Sequence, residues 1–200
     1  MVSKSSVQPR ADVASRLDGP RRATEVNKAN YPNRTVNRAA TNIGLISDTH
    51  GLLRDEARRA LEGSDLIIHA GDVGKPEILD ALKTLAPVVA VRGNVDSGPW
   101  ASALPLTAVV EAGPAHIYVL HDIQELDLDP AAAGFHIVIS GHSHQPGRTE
   151  RGGVLCINPG SAGPRRFHLP VTLARLDLSQ MPWKMDFLDL LDKRFGRLEK

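Results

Sequence analysis

Short apolar segments that alternate with helix-like segments restrict the fold of this chain more than any other feature. Apolar runs at 43–47, 66–69 and 88–91 have the length and composition of buried strands. Between them, 52–63 ends at a glycine and 76–85 begins with a proline, as helices do. This strand–helix order predicts a parallel sheet with right-handed crossovers.

The pattern changes after Gly98 to that of consecutive short strands. Two apolar runs at 107–111 and 116–120 flank Ala112-Gly113-Pro114, which is a hairpin signal. Further strands are predicted at 136–140, 153–158, 171–178 and 183–188. We therefore expect an α/β fold of two packed sheets with outer helices, in which the first half is parallel and the second half mostly antiparallel.

Size and composition indicate an ordinary globular domain. A chain of 200 residues with 42% apolar residues can bury one sizeable core. No apolar run approaches the roughly 20 residues that a membrane span needs. The first ten residues lack the apolar segment of a secretion signal, and Cys156 is the only cysteine. We expect a cytoplasmic protein without a membrane partner.

The net charge of +1 is unevenly distributed along the chain. Residues 1–41 hold eight Lys or Arg and three Asp or Glu, a balance of +5, which leaves −4 for the remainder. This segment also lacks strand or helix periodicity. We interpret 1–41 as a disordered basic extension that catalysis does not need, and 42–200 as the folded domain. Binding to polyanions and organelle targeting are the alternatives for the extension.

Seven side chains with oxygen or imidazole donors follow the predicted strands. They are Asp48, His50, Asp72, Asn94, His121, His142 and His144. In open α/β sheets, ligands bind at the carboxyl ends of the strands. Such a set of donors can hold two divalent ions about 3.5–4 Å apart, which is the arrangement that hydrolyses phosphate esters.

Each piece of this set also has an ordinary structural explanation. Gly71-Asp72 and Gly93-Asn94 are common turn dipeptides. Asp48 is compatible with a cap of the helix expected near residue 52. A single His142-Ser143-His144 triplet can place both rings on one face of a strand. It is the joint occurrence of five motifs at strand ends that favours a metal centre.

The combined series resembles the calcineurin-like metallophosphoesterases. The motifs that carry the resemblance are Asp48-x-His50, Gly71-Asp72, Gly93-Asn94, His121 and Gly141-His142-Ser143-His144. Val91 to Asp96, and Asn158-Pro159-Gly160-Ser161 with Pro164-Arg165, resemble the small single-domain bacterial and archaeal phosphodiesterase branch, to which the retromer subunit Vps29 is related. The resemblance covers residues 43 to about 190. It implies a four-layer αββα sandwich of two mixed β-sheets flanked by helices.

The same resemblance implies a metal-dependent phosphodiesterase or phosphoesterase with a dinuclear centre. Asp48, His50, Asp72 and His144 would hold the first ion, and Asp72, Asn94, His121 and His142 the second, with Asp72 shared. A hydroxide that bridges the ions would attack the ester. Donors of oxygen and nitrogen suit Mn²⁺, which we expect, and also Fe²⁺, Zn²⁺ or Co²⁺.

Two positions depart from the family pattern. Val95 stands where many members have a histidine that assists the leaving group, so Asp96 becomes the candidate general acid, with a capping role as the alternative. Asp122 replaces the usual glycine after His121. It is expected to reorient His121, bind metal or support a ligand. Arg92 and Arg165 are the candidate contacts for substrate phosphate.

Two other functions remain as alternatives. A scaffold for protein interaction, like Vps29, would need little or no catalysis. A nucleic-acid partner is not expected, because the sequence shows neither a basic groove nor an aromatic stacking platform. The expected partner is a small phosphate ester, and the sequence leaves open a homo-oligomer.

Overall fold

A computed structural model describes residues 33–192 as two β-sheets packed face to face. The strands are β1 (Arg34–Asn37), β2 (Asn42–Ile46), β3 (Leu66–His69), β4 (Val88–Ala90), β5 (Thr107–Ala112), β6 (Ala115–Leu120), β7 (Ile137–Ile139), β8 (Gly147–Arg151), β9 (Val154–Asn158), β10 (Thr172–Asp177) and β11 (Lys184–Asp189). The helices are α1 (Asp55–Leu61), α2 (Pro76–Lys83) and α3 (Pro99–Ser102), with a 3-10 helix at Ile123–Glu125. No helix in this part of the chain is long and apolar enough to cross a membrane.

The five-stranded sheet has the order β11-β10-β2-β3-β4. Its strands β2, β3 and β4 are parallel, and α1 and α2 connect them, so the predicted strand–helix alternation is confirmed. The last two strands, β10 and β11, join this sheet from the far end of the chain. β10 runs antiparallel to β2 and pairs Ala174 with Leu45. The sheet is therefore mixed, and β2 lies at its centre.

The six-stranded sheet has the order β1-β5-β6-β7-β9-β8. Its hairpin β5–β6 is antiparallel, as expected, but β6, β7 and β9 are parallel to one another. The expectation of a mostly antiparallel second half holds for β5–β6, β8–β9 and β10–β11, but not for β6, β7 and β9. Parallel neighbours need a long crossover connection. Between β6 and β7 that crossover is a loop with one 3-10 turn, so the sequence carried no helix signal for it.

The main core lies between the two sheets. Fully buried residues of the five-stranded sheet, such as Leu45 and Leu176, face residues of the other sheet, such as Val110 and Ile117. Burial of aliphatic side chains of this kind stabilises a fold by about 1.5–3 kcal/mol each. This core holds the two sheets in a fixed relation, and the ends of their strands are held with them.

The outer layers differ between the two sheets. Helices α1 and α2 cover the five-stranded sheet through a second cluster that includes Leu61 and Leu82. A third cluster around Tyr118 and Phe135 lies on the six-stranded sheet, where Leu126 and Leu128 of the loop after β6 pack on it. The α/β sandwich of two mixed sheets is confirmed. In the described residues its second outer layer consists of a loop and a 3-10 turn rather than of long helices.

Helix α1 begins three residues later than the sequence suggests. Arg54 is extended, with φ −72° and ψ 148°, so residue 52 lies in a loop. Asp55 and Glu56 occupy the first turn, where the positive end of the helix stabilises carboxylates. Gly63, with φ 73°, follows the end of the helix, as predicted.

Strand β1 contradicts the boundary expected at residue 41. Arg34–Asn37 forms a parallel strand beside β5. The side chain of Arg34 makes an ion pair with Glu111, whose side chain is only 5% exposed. Arg38 Nη2 lies 3.4 Å from the second carboxylate oxygen of Glu111. The sequence analysis missed this strand because its residues are polar and its hydrogen-bond partners lie far along the chain. Residues 1–32 lie outside the described part, and their interpretation as a basic extension stays a prediction.

Two truncated proteins test the role of β1. A protein that begins at residue 33 should unfold with nearly the free energy of the full chain. One that begins at residue 42 should lose roughly 2–4 kcal/mol, because it leaves buried Glu111 without its arginine partners. Urea unfolding followed by circular dichroism measures both. Equal stability of the two truncated proteins would show that β1 contributes nothing to the domain.

Candidate metal centre

The seven predicted donors come together at one edge of the sandwich. Asp48 and His50 follow β2, Asp72 follows β3, and Asn94 follows β4, all in the five-stranded sheet. His121 follows β6, and the pair His142 and His144 follows β7, in the six-stranded sheet. Each sheet therefore supplies part of the site. The packing of one sheet on the other brings the two parts into contact.

Backbone hydrogen bonds join the loops that carry these donors. Asp48 N–H donates to the carbonyl of Gly71 at 3.0 Å, and His50 N–H donates to that of Asp72 at 2.9 Å. These bonds continue the pairing of β2 with β3 beyond the strands. On the other sheet, Gly141 N–H donates to the carbonyl of His121 at 2.8 Å. The donors are thus placed by rigid backbone rather than by free loops.

Five of the donors have a left-handed backbone conformation. Their φ angles are 54° for Asp48, 46° for His50, 54° for Asp72, 64° for His142 and 59° for His144. Among the residues that the structure describes, only one other non-glycine residue, Phe167, has a positive φ. Such conformations cost about 1–3 kcal/mol each and gather at functional sites. The conformations turn the side chains at the strand ends toward the centre.

Two glycines allow the close approach of these loops. A Cβ at Gly141 would lie 2.7 Å from Asp48 Oδ2 and would collide with the side chain of Ser47. A Cβ at Gly93 would collide with the carboxylate of Asp72. Gly141 precedes His142 and Gly93 precedes Asn94 in the sequence, and the structure gives the reason for both glycines. Any side chain there would displace a carboxylate of the site.

Asp48, His50 and His144 form the first group of donors. His144 Nε2 lies 3.3 Å from Asp48 Oδ1 and 3.3 Å from His50 Nε2. Asp48 is fully buried, and neither of its carboxylate oxygens accepts a hydrogen bond from the described residues. A buried carboxylate without hydrogen bonds is costly unless a cation compensates its charge. The alternative of a helix cap is excluded for Asp48, because α1 begins at Asp55 with no side-chain cap.

Asp72, Asn94, His121 and His142 form the second group. Asn94 Oδ1 lies 3.0 Å from His121 Nε2 and 3.1 Å from His142 Nδ1. Asp72 Oδ1 lies 3.4 Å from His121 Nε2, while Asp72 Oδ2 lies 3.8 Å from His50 Nε2 of the first group. The two oxygens of one carboxylate therefore face the two groups. His121 Nδ1 contacts the carbonyl of Ala70 at 2.7 Å, which directs Nε2 toward the site.

The pKa values of the site differ between its two groups of donors. Burial lowers the pKa of His121, but hydrogen bonds to Asp72 and to the Ala70 carbonyl outweigh it and raise the pKa to about 9. Burial raises the pKa of Asp72, yet the bonds from His121 and Val95 N–H bring it below its usual value. Burial lowers the pKa of His50, and Arg166 adds to this effect. Asp72 thus stabilises positive charge at His121, in the second group.

The geometry fits a metal ion at two overlapping places. Asp48, His50 and His144 have donor atoms within 4.8 Å of one another, and so do Asp48, Asp72 and His121. The donors are carboxylate oxygens and imidazole nitrogens, which Mn²⁺, Fe²⁺, Zn²⁺ and Co²⁺ accept. Exposure rises from Asp48 at 0% to the His142 side chain at 46%, so the site opens to solvent at the second group.

The three candidates for other roles have different surroundings. Asp96 accepts hydrogen bonds from Gly74 N–H at 2.7 Å and from Gly93 N–H at 2.9 Å, one on each oxygen. This geometry favours the capping role over that of a general acid. Arg92 is half-buried and lines a cavity of about 290 Å³ with Asn94, His121 and His142. Arg165 is exposed, and the side chain that reaches the centre is that of its neighbour Arg166.

Arg166 was not predicted from the sequence, and Asn158 was noted there only as part of a motif without a role. Arg166 Nη2 lies 3.5 Å from His50 Nε2. Asn158 Nδ2 donates to the carbonyl of Gly141 at 2.6 Å and to Ser143 Oγ at 3.0 Å, so it fixes the loop of His142 and His144. Ser161 Oγ donates to the carbonyl of Asp48 at 3.0 Å. The Asn158-Pro159-Gly160-Ser161 motif thus braces donor loops of both sheets. For Arg166, the only signal in the sequence was its position next to the candidate Arg165.

The sequence and fold of this chain are similar to those of known proteins. Residues 42–181 match the family described as the calcineurin-like phosphoesterase superfamily domain. A relative from Methanothermobacter thermautotrophicus, named as a probable metallophosphoesterase, is 35% identical over 150 residues. The match covers 68% of this chain and 86% of that protein.

Two solved structures have a similar fold. An archaeal phosphodiesterase is 25% identical with a TM-score of 0.62, and the match covers 74% of this chain and 99% of that one. Vacuolar protein sorting 29 from Cryptosporidium parvum is 22% identical with a TM-score of 0.69, over 80% of this chain and 96% of that one. At this identity, the second likeness concerns the fold alone.

Acid should destabilise the fold through His69, which lies next to the donor loops. His69 is fully buried, its Nε2 lies 3.0 Å from Thr49 Oγ1, and burial lowers its pKa to about 4. The unfolded chain takes up this proton near pH 6.5, so protonation favours unfolding between pH 6.5 and 4. The contribution of His69 is complete above pH 6.5, and about 2 kcal/mol of it should be lost between pH 7 and pH 5.

Urea unfolding at pH 7 and pH 5, with a chelator present, measures this loss. The variant His69→Gln, which does not titrate, should show a smaller difference between the two pH values, whatever its stability at pH 7. An equal pH dependence in the variant and the parent would exclude His69 as the cause.

Proposed function

Because the chain belongs to the calcineurin-like phosphoesterase superfamily, we propose that it is a phosphodiesterase that works with two divalent metal ions. One observation supports the proposal above the others. The carboxylate of Asp72 turns one oxygen toward His121 and the other toward His50, at 3.4 and 3.8 Å. A single side chain that faces two groups of donors is suited to join two ions.

We assign the donors to two ions as the family resemblance implies. Asp48, His50 and His144 hold the first ion together with Asp72. Asn94, His121 and His142 hold the second ion, again together with Asp72. Two such ions supply charge neutralisation for the phosphate and lower the pKa of water, so that hydroxide is available near neutral pH. We expect Mn²⁺ to serve, although the donor set also accepts Fe²⁺, Zn²⁺ and Co²⁺.

The protein's own residues hold and orient the ester. Arg166 lies on the side of the first group, and Arg92 lies on the side of the second. Guanidinium groups bind phosphate oxygens through paired, charge-assisted hydrogen bonds. The two arginines therefore flank the place where a phosphate meets both groups of donors. The exposed edge near Asn94 and His142 leaves room for the organic part of a small phosphate ester.

A scaffold function, like that named for Vps29, is the weaker interpretation. A protein that only bound a partner would gain nothing from five left-handed donors or from a buried carboxylate without hydrogen bonds. Both features are costly, and both are compensated if a metal is bound. A bound metal explains these costs, and the relative named as a probable metallophosphoesterase favours the enzyme over a scaffold that binds metal.

The purified protein should hydrolyse bis(p-nitrophenyl) phosphate when Mn²⁺ is added, and chelation should abolish the activity. Asp72→Asn should lower turnover by more than about tenfold, which corresponds to ~1.4 kcal/mol, because the change weakens both metal sites. The matched control is Asp80→Asn, at an exposed surface carboxylate that pairs with Lys83. It should retain full activity.

Metal content by mass spectrometry shows whether the loss follows from the ions. Full turnover after thorough chelation would falsify the metal-dependent mechanism. Turnover of Asp72→Asn within tenfold of the parent would exclude the shared role of Asp72. Comparison with p-nitrophenyl phosphate separates diester from monoester preference.

The adjacent arginines offer a second test. Arg166→Gln should raise KM for the diester about tenfold with a smaller change in kcat, because it removes a ground-state contact to phosphate. Arg165→Gln is the matched control, since it removes the same charge one residue away, and it should leave KM nearly unchanged. The reverse result would show that Arg165 is the contact, as the sequence analysis expected.

A further inference from the structure

We propose that Asp122 positions His142 for the second metal ion. This inference rests on the proposed function, because it concerns a ligand of the same centre. Asp122 follows His121 directly at the end of β6, and its Oδ2 lies 3.6 Å from His142 Nε2. That separation is an ion-pair distance rather than a hydrogen bond. The carboxylate therefore faces the ring nitrogen of His142 that does not contact Asn94.

His142 needs such a partner more than the other histidines do. Its side chain is 46% exposed, whereas those of His121 and His144 are 5% and 9% exposed. Its ring meets that of His121 edge to face, with centroids 5.2 Å apart. A half-exposed imidazole can flip about its χ2 angle, and a flip would replace Nδ1 at the site with the carbon Cδ2 and turn Nε2 away from Asp122. A fixed negative charge on one side of the ring favours a single orientation.

The carboxylate of Asp122 is itself held in place. Its Oδ1 accepts a hydrogen bond from Gln124 N–H at 2.9 Å and so caps the 3-10 helix. The other oxygen is thereby directed to His142. The backbone ties the two elements together next to these residues, because Gly141 N–H donates to the His121 carbonyl at 2.8 Å. Asp122 and His142 are thus presented to each other by fixed backbone.

Each histidine of the second group then has one ring nitrogen next to an oxygen outside the group. In His121 this nitrogen is Nδ1, and in His142 it is Nε2. His121 has Nδ1 on the carbonyl of Ala70 and Nε2 toward the site. His142 has Nε2 toward Asp122 and Nδ1 toward Asn94 Oδ1. A neutral imidazole carries one proton, and a carboxylate near one nitrogen favours the proton there. Asp122 thereby leaves the lone pair of Nδ1 for the metal, as outer partners of ligand histidines do.

The variant Asp122→Asn separates this role from capping. Asparagine still accepts the hydrogen bond from Gln124 N–H, because Asn and Asp are comparable caps, but it lacks the negative charge. Asp122→Ala removes both functions. Asp177→Asn is the matched control, because Asp177 accepts a hydrogen bond from Ser179 N–H at 2.8 Å in the same kind of turn. Asp177 pairs with Asn42 at the opposite end of β2 from the donors.

Titration of the metal-free proteins with Mn²⁺ gives the first measurement. The wild type and Asp177→Asn should bind two ions. In Asp122→Asn, the affinity for one ion should fall about 10–100-fold while the affinity for the other stays unchanged. The melting temperature should stay at that of the parent. Wild-type affinities in Asp122→Asn, with losses only in Asp122→Ala, would identify Asp122 as a cap and overturn the proposal.

Long-range ¹H–¹⁵N spectra of the histidine rings give a second measurement that needs no metal. The ring of His142 is compared between the proteins at pH 8. The fraction with the proton on Nε2 should be lower in Asp122→Asn than in the wild type. Equal fractions would overturn the proposal. If the wild type binds fewer than two ions, the dinuclear function fails, and these spectra alone decide whether Asp122 orients His142.

Discussion

The buried carboxylate of Asp48 is the constraint around which this structure is arranged. It lies where the two sheets meet, it is fully buried, and neither of its oxygens accepts a hydrogen bond from residues 33–192. Removing a carboxylate from water without compensation is costly. The imidazole nitrogens of His50 and His144 lie 4.0 and 3.3 Å from its Oδ1. In the function proposed above, a metal ion held by Asp48, His50 and His144 would compensate this burial.

The surrounding structure keeps this arrangement from relaxing. Left-handed conformations at five donors would revert if the loops were free, and Gly141 would not be needed if the loops could move apart. Asn158 and Ser161, from a third segment, hydrogen-bond to the loops of both sheets. Because a bound metal needs donors at fixed separations, such bracing is what a metal centre requires of its scaffold. The strain is local, and the large core between the sheets compensates it.

The two groups of donors differ in how far they are buried. The first group of donors is nearly closed to solvent, while the second opens at Asn94 and His142. Arg166 and Arg92 add positive charge on two sides of the opening, where a phosphate ester would enter. Asp96 lies close to this opening, yet two backbone N–H groups occupy its oxygens, so proximity alone does not make it an acid catalyst.

The sequence determined the parts of this protein that depend on local chemistry. Apolar runs of strand length, helices marked by Pro76 and Gly63, and donors placed directly after strands are all properties of neighbouring residues. They were enough to predict the parallel strands β2 to β4 and the convergence of all seven donors. The roles of these donors as ligands stay a proposal.

Only the tertiary structure decided the features that depend on contacts between distant segments. Arg166 and His50 are 116 residues apart, and Arg34 and Glu111 are 77 apart. Neither contact leaves a periodic signal in the sequence, so Arg165 was chosen over Arg166 and β1 was assigned to a disordered extension. The parallel order of β6, β7 and β9 was missed because a loop makes the crossover. The sequence left open whether Asp122 reorients His121, binds metal or supports another ligand, and the packing of the two β-strand ends turns it toward His142. Which of these side chains come into contact depends on the relative position of the two sheets. That position is fixed by burial of the whole core and by no single segment of the chain.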